Sequence, residues 1–215
     1  MNATRETIEP RDDGRLHAAA GLGSDRRIIL FQGGLSPRRG LHHLAAAAAA
    51  LPEPWSIVMM GWGPFEAEMR KRAEELGAQT KPESRPLAVL PPVPQEELAS
   101  WTAGATLGII PYENTGLNHL YCTPNKLWEF PNAGVPILAT DLVEMRKMID
   151  EWKIGFLLPR EFSAADIVSF VTNVDETALL EARQNCAVYS HRMSWAKFEP
   201  VLLGMYSKIA ARGSA

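Results

Sequence analysis

The chain has 215 residues, enough for one sizeable domain or two small ones. With 46% hydrophobic and 22% charged residues it has the composition of a globular protein, and its net charge of −3 gives no general reason to expect nucleic-acid binding. Its two cysteines, Cys122 and Cys186, cannot form a disulfide framework or a zinc site unaided, which favours a reducing compartment.

Residues 1–25 are predicted to form a lead-in with a short helix near Arg15–Ala20, and residues 26–215 a single domain. The lead-in is polar and has no apolar core, so no secretory signal is expected. No stretch approaches the roughly 18 apolar residues that a membrane span needs. A cytoplasmic location is the simplest expectation.

Short apolar runs, most of them followed closely by glycine or proline, predict buried strands. These runs are residues 28–32, 57–60, 87–90, 107–110 and 137–139, with a sixth near Phe156. Apolar residues at helical spacing predict helices between the strands and three more at the C-terminal end. The predicted helices are 41–51, 65–76, 95–101, 123–130, 142–149, 164–173, 177–189 and 195–211.

This alternation predicts an α/β fold, with a doubly wound parallel sheet, helices on both faces and a helical C-terminal tail. Ligands of such sheets bind at the carboxyl ends of the strands. The loops 33–39, 61–63, 91–95 and 114–126 all follow strands, so they are expected at one rim. The sequence therefore predicts a single binding site there.

The run from Thr123 to Phe130, TPNKLWEF, is the most informative segment. Thr123 suits a helix N-cap and Pro124 the first helical position, so the amides of Asn125 and Lys126 would face an anion. Glu129 lies three residues after Lys126, on the same helix face. The alternative is an ordinary surface Lys–Glu pair.

Each of the two glycine turns can be interpreted either as part of a ligand site or as a plain connection. Gly33-Gly34 leads to Arg39, and such a loop can admit a phosphate to its backbone while Arg39 contacts a diphosphate; the alternative is a plain turn with solvent-facing arginines. Gly61 and Gly63 either allow a close backbone approach or form a turn before the next helix.

Several segments, in order and spacing, resemble the retaining glycosyltransferases of the GT-B type, in the bacterial group 1 (family 4-like) branch with a PNK…E motif. Five segments carry the resemblance: FQGGLSPRRGL (31–41), VMMGWGP (58–64), LGIIPYENTGLNHLY (107–121), TPNKLWEFPNAGVPILAT (123–140) and YSHRMSWAKFEPVLLGMY (189–206). The matched part of the family is its C-terminal, Rossmann-like domain, which binds a nucleoside-diphosphate sugar.

The resemblance implies that Arg39 and Lys126 act on the diphosphate as catalytic residues and that Glu129 holds the ribose. The loop around Val93 would contact the base through its main chain, and Asn118 lies in the sugar-side loop. It also implies no cofactor and no metal. The other substrate-binding positions that it implies are Gly33, Gly34, Gly61, Gly63, Pro124 and Asn125.

Three positions depart from the family pattern. Gly34 replaces a second basic residue, for which Arg38 could compensate, and Tyr121 replaces a glutamate near the sugar. Pro131 is expected to end or kink the motif helix and so to tilt Glu129.

The family's acceptor-binding domain precedes this one, so the resemblance implies that it is missing here or lies on another chain. Peripheral membrane association would then occur through that half. The apolar stripe of residues 195–209 would either face that domain or complete this domain's own core. Two alternative functions remain: a non-catalytic nucleotide-binding or assembly module, and a sugar-nucleotide epimerase-like domain.

Overall fold

Six strands pair in parallel to form one sheet. They are β1 (Arg27–Gln32), β2 (Trp55–Met60), β3 (Leu87–Leu90), β4 (Leu107–Ile110), β5 (Ile137–Thr140) and β6 (Gly155–Leu158). Their order is β3-β2-β1-β4-β5-β6, so the chain reverses direction across the sheet between β3 and β4. Such a reversal creates a crevice at the carboxyl ends of β1 and β4. The computed structural model describes residues 11–213, with side chains up to residue 209.

Helices cover the sheet in the described part of the chain. They are α1 (Arg15–Ala20), α2 (Leu41–Ala48), α3 (Glu66–Gly77), α4 (Leu98–Thr102), α5 (Leu117–Leu120), α6 (Lys126–Asn132), α7 (Val143–Trp152), α8 (Ala164–Asn173), α9 (Glu176–Arg192) and α10 (Trp195–Gly213). A single 3₁₀ turn, Pro82–Ser84, occurs where a loop was expected. The short helix α5 is a second difference, since its residues were predicted as a flexible loop.

The two faces of the sheet belong to two separate cores. Along β1, Ile28 and Leu30 pack on one side, whereas Ile29 and Phe31 pack on the other, and all four are fully buried. This alternation is what a parallel sheet covered on both faces requires. The predicted doubly wound α/β architecture is confirmed.

The described part of the predicted lead-in is not loose. Leu16 and Ala20 of α1 are buried in the same core as Ile28. The helix α1 therefore packs onto the domain, while residues 1–10 lie outside the described part.

The last helix, α10, is mostly exposed. Trp195 and Phe198 are half-buried, but six large apolar residues after them are 41–66% exposed: Val201, Leu202, Leu203, Met205, Tyr206 and Ile209. The expectation that this stripe completes the domain's own core is wrong beyond Phe198. Among the described helices, none combines the length and apolarity needed to cross a bilayer.

Candidate functional site

A cavity of about 470 Å³ opens at the carboxyl ends of β1, β2, β3 and β4, at the switch point of the sheet. Nine of the eleven predicted site residues line it: Gly33, Arg39, Gly61, Val93, Asn118, Pro124, Asn125, Lys126 and Glu129. The sheet order explains this meeting, because loops that are far apart in sequence follow neighbouring strands.

Lys126 is buried in the wall of this cavity, with only 7% of its surface exposed. Its Nζ donates a 3.2 Å hydrogen bond to the hydroxyl of Tyr112 and lies 5.0 Å from the ring centroid of Phe31. No carboxylate among the described residues lies within ion-pair distance of it. Burial, reinforced by the nearby Arg39 charge, lowers the pKa of Lys126 from 10.5 to about 8 despite the opposing effect of Glu129. The surface Lys–Glu pair considered above is therefore not what forms.

Arg39 is the second cation of the cavity. Its guanidinium carbon lies 4.1 Å from the ring centroid of Tyr112, a cation–π contact that holds the side chain beside Lys126. In the described part of the chain it too lacks an ion-pair partner. Burial raises the pKa of Tyr112 to about 12, so this ring stays neutral between the two cations at ordinary pH. Two unpaired positive charges at one end of a cavity form a site for an anion.

Glu129 is held by a chain of buried polar groups. Its Oε2 accepts a 2.8 Å hydrogen bond from Nε2 of Gln32, and Oε1 of Gln32 accepts one of 2.8 Å from the hydroxyl of Thr102. Gln32 and Thr102 are both buried. The carboxylate of Glu129 is therefore fixed on the same cavity wall as Lys126, which lies three residues earlier in α6.

The two glycine turns approach each other closely. A Cβ on Gly61 would lie 1.8 Å from the carbonyl oxygen of Gly33, and a Cβ on Gly63 would lie 2.3 Å from that of Leu35. Gly61 and Gly63 also have φ values of +156° and +152°, which side-chain-bearing residues rarely adopt. Their observed role is packing of one loop on the other.

The β1 loop offers fewer amides to a ligand than expected. The amide of Gly33 donates to the carbonyl of Met60, that of Leu35 to Trp62 and that of Ser36 to Gly34. Within residues 33–36, only the Gly34 amide lacks an acceptor in the described part of the chain. Nearby, the Nζ of Lys126 lies 3.1 Å from where a Cβ on Gly33 would be.

The motif helix begins later than predicted. Its N-cap is Asn125 rather than Thr123, no side chain caps it, and its first residue is Lys126. The Leu127 amide already donates to the carbonyl of Pro124. The helix ends at Asn132, one residue after Pro131, but Pro131 does not end it, because the Ala133 amide still donates to the carbonyl of Glu129. The chain leaves the helix at Gly134, whose φ is +72°, and the Val135 amide donates to the carbonyl of Phe130. Glu129 nonetheless stays at the cavity through its bond with Gln32.

Four positions considered from the sequence lie away from the cavity wall. Gly34 and Gly63 do not line it, Arg38 is exposed and Tyr121 is 58% exposed. Arg38 instead has a positive φ of 64°, and its carbonyl accepts the amide of Glu113. Arg38 therefore does not supply, at the cavity, the positive charge of the basic residue that Gly34 replaces.

His119, like Asn118, lines the cavity from α5. Its Nδ1 lies 2.8 Å from the carbonyl oxygen of Glu113 and 3.1 Å from the Thr115 hydroxyl, so its ring is oriented by its own loop. Cys122 also lines the cavity, but burial raises the pKa of its thiol, which disfavours a nucleophilic thiolate. Among the described residues, no cluster of His, Cys, Asp and Glu is arranged to hold a metal ion.

Sequence reasoning missed Gln32, Tyr112 and Trp62, all of which line the cavity. Gln32 is a polar residue at the end of an apolar strand. A buried polar side chain needs a hydrogen-bond partner, and this need is the signal that could have drawn attention to Gln32. Tyr112 lies two residues after β4. The contacts of Gln32 and Tyr112 with the cavity cannot be identified without the sheet order.

A family model described as Glycosyl transferases group 1 matches residues 26–176. Two curated relatives are each called D-inositol 3-phosphate glycosyltransferase. The one from a Nocardioides species is 28% identical over 175 residues, covering 74% of this chain and 37% of its own length. The one from Streptomyces scabiei is 30% identical over 199 residues, covering 85% and 42%. The chain thus spans less than half of either relative.

Solved structures with the same fold include the Anabaena protein Alr3699/HepE in complex with UDP-glucose. It has a TM-score of 0.71 and 16% identity, over 96% of this chain and 56% of that one. The C-terminal domain of a glycosyl transferase group 1 protein (LpcC) from Francisella tularensis has a TM-score of 0.62 and 16% identity, and the match covers 86% of this chain and 94% of that domain.

Proposed function

The chain belongs to the glycosyl transferases group 1 family, and on that premise we propose that it is the donor-binding domain of a glycosyltransferase. The donor is a nucleoside-diphosphate sugar, and the sugar is transferred with retention of its anomeric configuration. The acceptor binds to a second domain, on another part of the protein or on another chain. Without that domain, the chain binds nucleotide but transfers little or no sugar.

One observation carries this proposal: the buried, unpaired ammonium of Lys126 beside the guanidinium of Arg39. A buried cation without a carboxylate is costly, so its presence in a cavity indicates an anionic ligand. Two cations at one end of a 470 Å³ cavity suit a diphosphate with a nucleoside attached.

The two cations would contribute most when the sugar leaves. As the bond between the sugar C1 and the diphosphate oxygen breaks, its electron pair moves onto the diphosphate. Arg39 and Lys126 would stabilise that growing negative charge, which is transition-state electrostatics in a partly dry site. The acceptor oxygen then bonds to C1, and its proton passes to the departing diphosphate oxygen that received the electron pair.

Glu129 is proposed to accept hydrogen bonds from the ribose hydroxyls. Its carboxylate is held by Gln32 and has a second oxygen for a ligand. UDP is the first nucleotide to test, because UDP-glucose is bound in one structural neighbour. The shared name of the two relatives makes D-inositol 3-phosphate the first acceptor to test.

Calorimetric titration with UDP, GDP and ADP tests the proposal. Wild type is expected to bind at least one of them, and Glu129→Ala and Arg39→Ala are expected to weaken that binding at least tenfold. Arg38→Ala is the matched control, because Arg38 is the neighbouring arginine and lies outside the cavity. Absence of binding to all three nucleotides would instead favour a non-catalytic module.

A further inference from the structure

Trp62 is an exposed indole on a rigid loop. Its surface is 62% exposed, yet it forms part of the cavity wall. Its carbonyl accepts a 2.7 Å hydrogen bond from the Leu35 amide. The glycines on either side of it pack on the backbone of the β1 loop. The backbone of Trp62 is therefore fixed while its side chain stays open to a ligand, which is the state of a preorganised contact.

The sheet order places Trp62 between two other parts of the cavity. The loop with Val93 follows β3, Trp62 follows β2, and the loop with Arg39 follows β1. These three strands are neighbours in that order. A ligand with its diphosphate at Arg39 and its far end at Val93 must pass Trp62.

The two ends of the cavity differ in chemistry. The end at β1 and α6 carries the cations of Arg39 and Lys126. The end at β3 and α4 is lined by Pro92, Val93, Gln95 and Leu98, none of which is charged. A molecule that is doubly anionic at one end and flat and uncharged at the other fits this polarity, and a nucleobase is such a flat group.

We propose that Trp62 is the stacking platform for the base of the nucleotide. This rests on the proposed function, because it assigns a residue of the same site to the base. Stacking on an indole is available to every base, so Trp62 contributes affinity to all of them and does not read the hydrogen-bonding edge of one base. Purines overlap the indole more than pyrimidines do, so they gain more from it.

The test compares wild type, Trp62→Ala and Trp62→Phe in titrations with UDP, ADP and inorganic pyrophosphate. Trp62→Ala is expected to weaken the nucleoside diphosphates roughly 5- to 100-fold, and ADP more than UDP. Trp62→Phe should fall between wild type and Trp62→Ala. Pyrophosphate affinity should stay unchanged in both, because pyrophosphate has no base. Tyr206→Ala is the control for loss of an exposed aromatic residue outside the cavity.

Three results separate the claims. Wild-type affinity for nucleoside diphosphates in Trp62→Ala overturns the stacking assignment and leaves the proposed function intact. An equal loss of pyrophosphate binding also overturns it, because the loop has then been distorted. Failure of the wild-type chain to bind any nucleoside diphosphate overturns the proposed function, and the stacking assignment with it.

Discussion

Gln32 donates a 2.8 Å hydrogen bond to Glu129 across 97 positions of the chain. The amide of Gln32 cannot turn around freely, because its oxygen accepts from the hydroxyl of Thr102. The Thr102 hydroxyl has a single proton, which it shares between this oxygen and the carbonyl of Leu98 one turn earlier. Gln32 at the end of β1 and Thr102 in α4 thus orient the carboxylate of Glu129 in α6, and both of these orienting residues are buried.

Gln32 is therefore expected to act as a positioning residue for the ribose contact. Gln32→Met keeps the volume and removes the hydrogen bond, so UDP affinity should fall about 3- to 10-fold. Pyrophosphate affinity should not change, because pyrophosphate has no ribose. Both are measured by calorimetry. Thr102→Val removes the hydroxyl that contacts Gln32 and Leu98 but leaves the bond between Gln32 and Glu129, so it should have a smaller effect. Equal losses for UDP and pyrophosphate would contradict a positioning role.

The charge of Lys126 should make nucleotide affinity depend on pH. Its pKa of about 8 means that the ammonium is mostly charged at pH 7 and mostly neutral at pH 9. The phosphate groups are fully ionised over this range, since their second pKa is near 6. UDP affinity should therefore fall above pH 8, by up to about tenfold per unit. Titrations at pH 7, 8 and 9 measure the slope. The same slope in Lys126→Met would assign it to another group.

As pH rises above 8, the free energy of unfolding should increase, whereas UDP affinity should decrease. Because the pKa of Lys126 is lower in the folded state than its ordinary 10.5, the unfolded state binds more protons between pH 8 and 10.5. Unfolding free energy therefore rises with pH in that window, and below pH 8 the buried charge costs stability in full. Lys126→Met should stabilise the ligand-free protein at pH 7 by about 1–3 kcal/mol.

Denaturant unfolding at pH 7 and pH 10.5 measures this effect. The advantage of Lys126→Met should be largest at pH 7 and shrink at pH 10.5. Lys71→Met, on the exposed face of α3, should change stability little at either pH. A destabilised Lys126→Met protein at pH 7 would show that the lysine supports the fold rather than a ligand.

The contact between the two glycine turns should be intolerant of a side chain. Gly61→Ala places a Cβ 1.8 Å from the carbonyl oxygen of Gly33, so we expect a loss of about 2 kcal/mol or more. Gly77→Ala is the matched control, because nothing lies within 4 Å of its Cβ position in α3. It should be neutral or stabilising by up to about 1 kcal/mol. Thermal unfolding measures the stability of both variants. If Gly61→Ala and Gly77→Ala were equally stable, Gly61 would not lie as close to Gly33 as described.

The sequence by itself determined most elements of this fold to within a few residues, but not α5 or the turn Pro82–Ser84. Strands β3 and β4 and helices α1 and α8 have their predicted bounds, because runs of buried residues and helical spacing are local properties of the chain. The position of the site at the carboxyl ends of the strands followed from the alternation alone. The sequence also indicated that α6 ends near Pro131, although the glycine turn at Gly134 ends it.

Only the tertiary structure decided what surrounds each site residue. The sequence left open whether Lys126 faces an anion or forms a helical surface pair; packing against Phe31 and Tyr112 buries it beside Gly33. Gln32 reaches Glu129 only because β1 and β4 are neighbours in the sheet. Spacing along the chain sets which face of an element a residue occupies, whereas burial, charge pairing and pKa depend on groups brought in from distant parts of the chain.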